Sequence, residues 1–442
     1  MAIAIFFIIY LVVMFLLGSP TIYAIGAAIF SIPLFFAGSV DFGLVNIAKD
    51  FVNISAATTS AALTIGLFMI SGDIMSQGQI TEKIFNVFAY FLGKKRGFMP
   101  IVCILTCMFF GSISGSSIGT TAAVGAMCYP LLVSLGYDRL FSAAIIVATG
   151  CLGMTIPPSS ATTGVNALTG GLDLVVLYKV SAIVGVLCGI LVILYCYLYC
   201  LRHGNGDQVK INRWVDDLRA RGFLNVFKES IWALLTPVII LGSIFSGIAA
   251  AHQAAVLSIV YAVFVSVCIY KTIRFSDVFP IVRKSLKGGS RALVMVIFAT
   301  TFSNALTALD VSSILSNFVA NTQISSTLIM IVILIYMLIM GTMGAGASVN
   351  VVMPLAYPLI IAAGIEPFTA SIAIVLMQCV GLITPPIGQC IFIMAAVAKC
   401  EATELTKPLL PYIVIETAVA LFLVLFPGLF SGIVAGGYIP IP

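Results

Sequence analysis

Charge is what this 442-residue chain has least of: 8% of its residues are Asp, Glu, Lys or Arg, against about a quarter in soluble domains. Hydrophobic residues make up 61%, and residues 1–40, 97–137, 140–172 and 311–365 carry no charged side chain. A helix needs only about 20 apolar residues to span a bilayer. The scarcity therefore excludes a soluble enzyme, a nucleic-acid binder and a disordered tail, and makes membrane lipid the chain's surroundings. Histidine is almost missing, with only His203 and His252. No HExxH, nucleophile elbow, P-loop or Asp-rich metal motif occurs, so a membrane enzyme would lack its acid–base or metal set. Eleven cysteines are present, but the helically spaced pairs Cys103/Cys107 and Cys196/Cys200 have no His or further Cys nearby in sequence to complete a zinc set. They read as small hydrophobes.

What is present is a succession of apolar segments. Those at 2–17, 21–38, 56–75, 140–170, 174–201, 229–249, 254–270, 291–310, 367–398 and 410–432 read as membrane spans. The first resembles a signal peptide in hydrophobicity, but it has no positive n-region and runs through Gly18, Ser19 and Pro20 into a second span, so a membrane helix is expected. With the N-terminus outside, the inner connections collect every one of the 21 cations except Lys49 and Lys179. The positive-inside rule then selects this orientation and places both termini outside.

Residues 97–137 do not fit a single crossing, because their flanks, Lys94, Lys95, Arg96 and Arg139, all belong inside. One straight helix would be about 60 Å long, twice the hydrocarbon thickness. A re-entrant hairpin is expected instead, turning within Gly111 to Gly119, where the hydroxyls of Ser112, Ser114, Ser116 and Ser117 can satisfy freed backbone groups. Residues 325–365 repeat the pattern from the outer face, with a break expected in Gly341 to Asn350.

The two hairpins belong to an internal repeat. A shift of 228 residues superposes Tyr129, Pro130 and Leu131 on Tyr357, Pro358 and Leu359, Cys151 on Cys379, Gly153 on Gly381, and Pro157 and Pro158 on Pro385 and Pro386. Since the copies face opposite ways, the repeat is inverted, the pattern of secondary transporters with a midplane site. Each hairpin precedes a span interrupted by Pro-Pro, which breaks it into two half-helices. Helix ends at mid-membrane offer amides to anions and carbonyls to cations. The oxygens available are uncharged: the 111–119 turn, Thr155, and Ser159, Ser160, Thr162, Thr163 and Asn166 in the first half; the 341–350 turn, Thr384 and Gln389 in the second. Hydroxyls and carbonyls suit Na+, whereas a proton relay would want Asp, Glu or His at this depth. Asp73 and Asp310 read as interfacial caps, and His252 as a solvated outer residue. Glu416 falls within the last span, either functional or reaching headgroups. The 202–228 loop, with Arg213 and Trp214, is expected to form an interfacial helix.

Several segments in order resemble one family: GDIMSQG at 72–78, FGSISGSS at 110–117, IPPS at 156–159, LTPVIILG at 235–242 and TPPIG at 384–388 look like the large membrane subunit of tripartite ATP-independent periplasmic (TRAP) transporters. The resemblance covers nearly the whole chain. It implies an all-α polytopic membrane protein of the ion transporter superfamily, an elevator with inverted repeats, two re-entrant hairpins and two Pro-Pro-broken helices. The implied activity is sodium-coupled import of an organic acid, either a sugar acid such as sialic acid or a C4-dicarboxylate, across the bacterial inner membrane. The implied partners are a small four-helix membrane subunit and a periplasmic substrate-binding protein. The mobile transport domain would comprise 98–172 and 325–407. Scaffold helices with an interfacial arm (1–97), further scaffold helices (173–324) and a C-terminal helix (408–442) would complete the chain. Carried over to this sequence, the sodium ligands are Ser112, Ser114, Gly115, Ser116, Thr155 and Pro157, and Gly341, Gly344, Gly346, Ser348, Thr384 and Pro385. Substrate would meet Ser117, Thr120, Ser159, Ser160, Thr162, Asn166, Asn350 and Gln389. After Ser246 to Ile248 the chain departs from the family pattern, having Ala250, Ala251, His252 and Gln253 where Thr-Pro-Thr-Glu is usual. A single-component sodium–dicarboxylate symporter shares the inverted hairpins but needs no binding protein, and a channel would conduct without concentrating substrate.

Overall fold

The computed structural model describes residues 10, 13, 21–35, 44–52, 56–169, 172–204, 206–322, 324–342, 344–385 and 387–434. The span expected at 2–17 thus lies outside the described residues apart from Tyr10 and Val13, as do Pro386 and Pro442. The first described helices are α1 (Thr21–Phe35), α2 (Leu44–Val52), α3 (Ala56–Gln77) and α4 (Ile80–Leu92). The first hairpin is α5 (Phe98–Ser114) and α6 (Ser117–Ser134), and the span after it is split into α7 (Arg139–Leu152) and α8 (Ser160–Thr169). Then come α9 (Leu174–His203), α10 (Gln208–Ala220), α11 (Phe223–Phe245), α12 (Ala251–Phe264), α13 (Phe275–Ala308) and α14 (Val311–Thr322). The second hairpin is α15 (Ser326–Gly341) and α16 (Ala345–Ala362), its split span is α17 (Pro367–Ile383) and α18 (Gln389–Ala398), and α19 (Thr406–Leu425) follows. The fold is all-α and polytopic, with six helical segments among the described residues long and apolar enough to cross a membrane, the broken α7–α8 span counted as one.

The repeat is visible in the helices. The hairpin arms α5 and α15 are 17 and 16 residues long, α6 and α16 are 18 each, and α8 and α18 are 10 each. That the hairpins enter from opposite faces follows from what closes their bases. Ser326 Oγ donates to Ala363 O at 2.9 Å, joining the two ends of the second hairpin where α17 begins. The other end of that broken span meets the first hairpin: the Arg139 guanidinium donates to Ala398 O at 3.2 Å, at the C-terminus of α18. A cation there complements the helix dipole. The α17–α18 span therefore runs from one hairpin's base to the other's.

Two segments differ most from expectation. Helix α13 begins at Phe275, 16 residues before the expected span start at 291, because Arg283, Lys284 and Lys287 continue the helix as exposed side chains instead of ending it; long cationic stems reach water from a helix that continues past the lipid. The outer connection at 311–324 is itself mostly helical, as α14. On the cation-rich side, α10 lies where an interfacial helix was expected. Its Arg219 donates to Tyr90 O at 2.8 and 3.1 Å, and Lys94 pairs with Asp216. Lys83 and Arg221 both hold Glu229, at 2.9 and 2.7 Å. A cysteine replacing exposed Lys210 in a cysteine-free background should react with a membrane-impermeant maleimide only from the cytoplasm, and one replacing exposed Asn321 only from outside. Labelling of position 210 from outside would overturn the orientation.

Candidate functional site

The first break is tighter than the sequence suggested. Only residues 115 and 116 leave helical geometry: Gly115 has φ 60° and ends α5, its N–H donating to Gly111 O at 2.9 Å. Ser116 starts α6, its hydroxyl accepting from Gly119 N at 3.1 Å. A positive φ at position 115, which L side chains rarely adopt, explains the glycine. Of the four serines expected to satisfy the freed backbone, two do so. Ser116 serves Gly119, and Ser114 Oγ accepts from Ser116 N at 3.3 Å while bonding Thr120 Oγ1 at 2.8 Å. Ser112 instead donates to Phe109 O within its own helix at 2.7 Å, and the Ser117 hydroxyl is buried without a partner among the described residues.

The broken span wraps this tip. Helix α7 ends in a 3-10 turn at Gly153–Thr155, after which the chain is extended through a cis Pro157–Pro158 bond. Ser159 opens α8, its Oγ accepting from Thr162 N at 3.1 Å and Thr162 Oγ1 at 3.0 Å. Ser160 Oγ donates to Gly115 O at 2.5 Å, fastening α8 to the hairpin tip. Thr155 O accepts from Ser181 of α9. Asn166 lies more than a turn further along α8 and its amide donates to Leu172 O at 2.6 Å, so it holds the following connection.

The second half is built alike. Gly381 O accepts from Thr384 N at 3.1 Å where α17 ends, as Gly153 O accepts from Ile156 N at 3.2 Å in the first half, 228 residues earlier. Gly344, with φ 145°, opens α16 against the Gln389 side chain, 3.1 Å from where its Cβ would stand. Ser348 Oγ donates to Gly344 O at 3.1 Å, Thr384 Oγ1 to Val380 O at 2.6 Å, Gly346 lies in the first turn of α16, Asn350 is buried on that helix, and Pro385 lies between α17 and α18. Both hairpins rest on their broken spans through glycine pairs. A Cβ on Gly153 would stand 2.9 Å from Gly111 Cα, and one on Gly381 2.5 Å from Gly341 Cα.

The two halves also meet each other. Thr155 Oγ1 and Cys379 Sγ are 3.3 Å apart, and Gly164 of α8 faces Val349 of α16. The tips and breaks thus share one region, lined by hydroxyl, amide and backbone groups. A hydroxyl that donates to a protein carbonyl keeps its lone pairs for a cation, and the N-termini of α6, α8, α16 and α18 suit an anion. Sequence reading missed Gln378, fully buried beside Gly341 with neither side-chain polar atom paired among the described residues. A lone glutamine in the apolar 367–383 run was the available signal.

Other polar residues are relocated. Asp310 stands just before α14 and its carboxylate accepts from the Ser313 hydroxyl at 2.6 Å. Asp73 is not a cap: it stands inside α3 and accepts from Ser285 Oγ of α13 at 2.5 Å. His252 is half-buried with Nδ1 2.8 Å from Ser60 Oγ, which replaces the expected solvation by a partner. Glu416 is fully buried on α19, which removes the reading that it reaches headgroups.

Two inverted hairpins, each seated on a span broken in mid-course, define a secondary membrane transporter. The sequence profile of the family described as the tripartite ATP-independent periplasmic transporter, DctM component, matches residues 8–429. The chain belongs to that family, and is a transport permease and not an enzyme. It is 29% identical over 368 residues to the isethionate TRAP transporter permease protein DctMQ of Oleidesulfovibrio alaskensis, covering 83% of this chain and 57% of that protein; the chain spans little more than half the length of that relative. It is 29% identical over 354 residues to the C4-dicarboxylate TRAP transporter large permease protein DctM of Pseudomonas aeruginosa, covering 80% of this chain and 81% of that one. The fold is similar to that of Neisseria gonorrhoeae MtrF, with a TM-score of 0.61 at 14% identity over 98% of this chain and 97% of that one.

Proposed function

We propose that this chain is the large membrane subunit of a sodium-coupled importer of an organic acid in the bacterial inner membrane, with both termini periplasmic. The observation that carries the reading is the pairing of each hairpin tip with a broken span, which brings helix ends and hydroxyl oxygens together at two repeated places. Each place has oxygens for one Na+ and the N-termini between them suit a carboxylate or another organic anion. The ligands are the two sets named above from the resemblance. Relatives named for isethionate and for C4-dicarboxylates are both permeases for organic anions, so a sugar acid such as sialic acid or a C4-dicarboxylate fits the same chemistry. Segments 98–172 and 325–407 move as an elevator against 1–97 and 173–324, while the helix in 408–442 packs on α17 and α7.

A small four-helix subunit and a periplasmic binding protein complete the system. The outer connections at 250–253 and 311–324 are too short to form a capture domain, so the membrane subunits alone should give little uptake. Reconstitution with the genomically adjacent binding protein and small subunit, followed by uptake of a panel of organic acids under an inward sodium gradient, tests the reading. Saturable uptake of one acid that needs both Na+ and the binding protein is expected. Full-rate uptake without the binding protein would move the chain to the single-component symporters.

A further inference from the structure

Helix α3 touches the tip of the first hairpin at its most constricted point. A Cβ on Gly72 would stand 2.8 Å from Ser114 Cα, so the two backbones meet there. Beside this contact is a cavity of about 20 Å³, room for one particle the size of a water molecule or smaller. Met69 and Phe110 form its apolar walls, and Asp73, Ser76, Ser114 and Ser116 supply the polar ones. It lies where α3 meets the tip, and Ser160 is not among its lining residues.

The electrostatics of the cavity are unbalanced. Asp73 is half-buried, and its only described hydrogen bond is from the neutral Ser285 hydroxyl. None of the described ion pairs includes it, and the cations flanking Ser285 on α13, Arg283, Lys284 and Lys287, are exposed. A half-buried carboxylate without a counter-charge is costly unless a cation supplies one. The hydroxyls are prepared for that. Ser116 Oγ accepts one backbone N–H, which leaves it a lone pair, and Ser114 Oγ accepts one backbone N–H with both Thr120 Oγ1 and Ser116 O within its hydrogen-bond reach. One carboxylate and three hydroxyl oxygens around a one-particle cavity match the preference of a small hard cation for oxygen.

We propose that this cavity is a cation site, holding one Na+ between the Asp73 carboxylate of α3 and the serine hydroxyls of the first hairpin tip. It shares Ser114 and Ser116 with the ligand set that includes Thr155 and Pro157, and adds a carboxylate, which that set lacks. On the elevator reading above, α3 and the tip lie in different bodies, so the ion bridges them and leaves when they part. Sodium would then stabilise the arrangement seen here in addition to whatever it contributes at the tips.

The test is equilibrium binding of 22Na+ to the purified full chain, with bound ions counted per chain. Asp73→Asn should bind one Na+ fewer than the natural chain, and Asp73→Glu should retain the ion. Equal counts for the natural chain and Asp73→Asn overturn the site while leaving sodium coupling in place; no bound Na+ in the natural chain overturns both. If Asp73→Asn does not give a monodisperse protein, Ser76→Ala, which keeps the carboxylate, should raise the Na+ concentration for half-saturation of one site by about threefold or more. Unchanged half-saturation would equally overturn the proposal, and would assign the cavity to water.

Discussion

Gly381→Ala should lower uptake by about tenfold or more, with Gly153→Ala behaving alike. At Gly381 the added methyl would stand 2.5 Å from Gly341 Cα and 2.6 Å from its carbonyl carbon. At Gly153 it would stand 2.7 Å from Cys107 O and 2.9 Å from Gly111 Cα. These neighbours are backbone atoms of a hairpin arm and cannot turn aside as a side-chain end can. The hairpin must be displaced from its broken span, at roughly 1–3 kcal/mol for overpacking of this kind, and the tip loses its register with the break. Uptake in proteoliposomes and the melting temperature in detergent measure the two consequences. Gly242→Ala, where nothing lies within 4 Å, is the control and should leave both unchanged. Normal uptake by Gly381→Ala and Gly153→Ala would show that the glycine contacts do not set the geometry of the site.

The second large effect is on the response to membrane potential. With one Na+ at each tip, a dianion moves with two sodium ions at no net charge, whereas a monoanion carries one positive charge inward. Each net charge is worth about 2.3 kcal/mol per 100 mV, roughly fifty-fold in accumulation. Clamping proteoliposomes at zero and at about −100 mV with potassium and valinomycin therefore separates a C4-dicarboxylate from a monovalent sugar acid. Occupation of the Asp73 cavity during the cycle would add one charge to both cases if that ion crosses, so the count of bound ions is needed beside the flux. Uptake that ignores sodium and follows a proton gradient would defeat the ion assignment, and buried Glu416 would become the first residue to replace.

Much of the architecture was legible because membrane topology is written in charge. Cations on both sides of 97–137 forced a hairpin, and the structure turns there at residues 115 and 116. Gly153 and Gly381 matched under the 228-residue shift, and both abut a hairpin glycine. What charge and hydropathy do not encode is which way a helix faces. Asp73 sits close enough to the end of α3 to pass for a cap, and only packing reveals that it faces the hairpin tip. The start of α13 was misplaced for a related reason: hydropathy records where lipid ends, and a helix has no obligation to end there. Ser112 donates to Phe109 O and Asn166 to Leu172 O, local hydrogen bonds that residue spacing cannot show.

The glycine pairs also bear on energy conversion. Because each hairpin abuts its own broken span backbone against backbone, its arm and its break pack as one unit, a jaw. On the elevator reading proposed above, an ion held in that jaw would travel with it. On that reading the gear ratio is the number of ions that cross with the jaws, and the same protein would run electrically silent or current-generating according to the valence of the acid it carries.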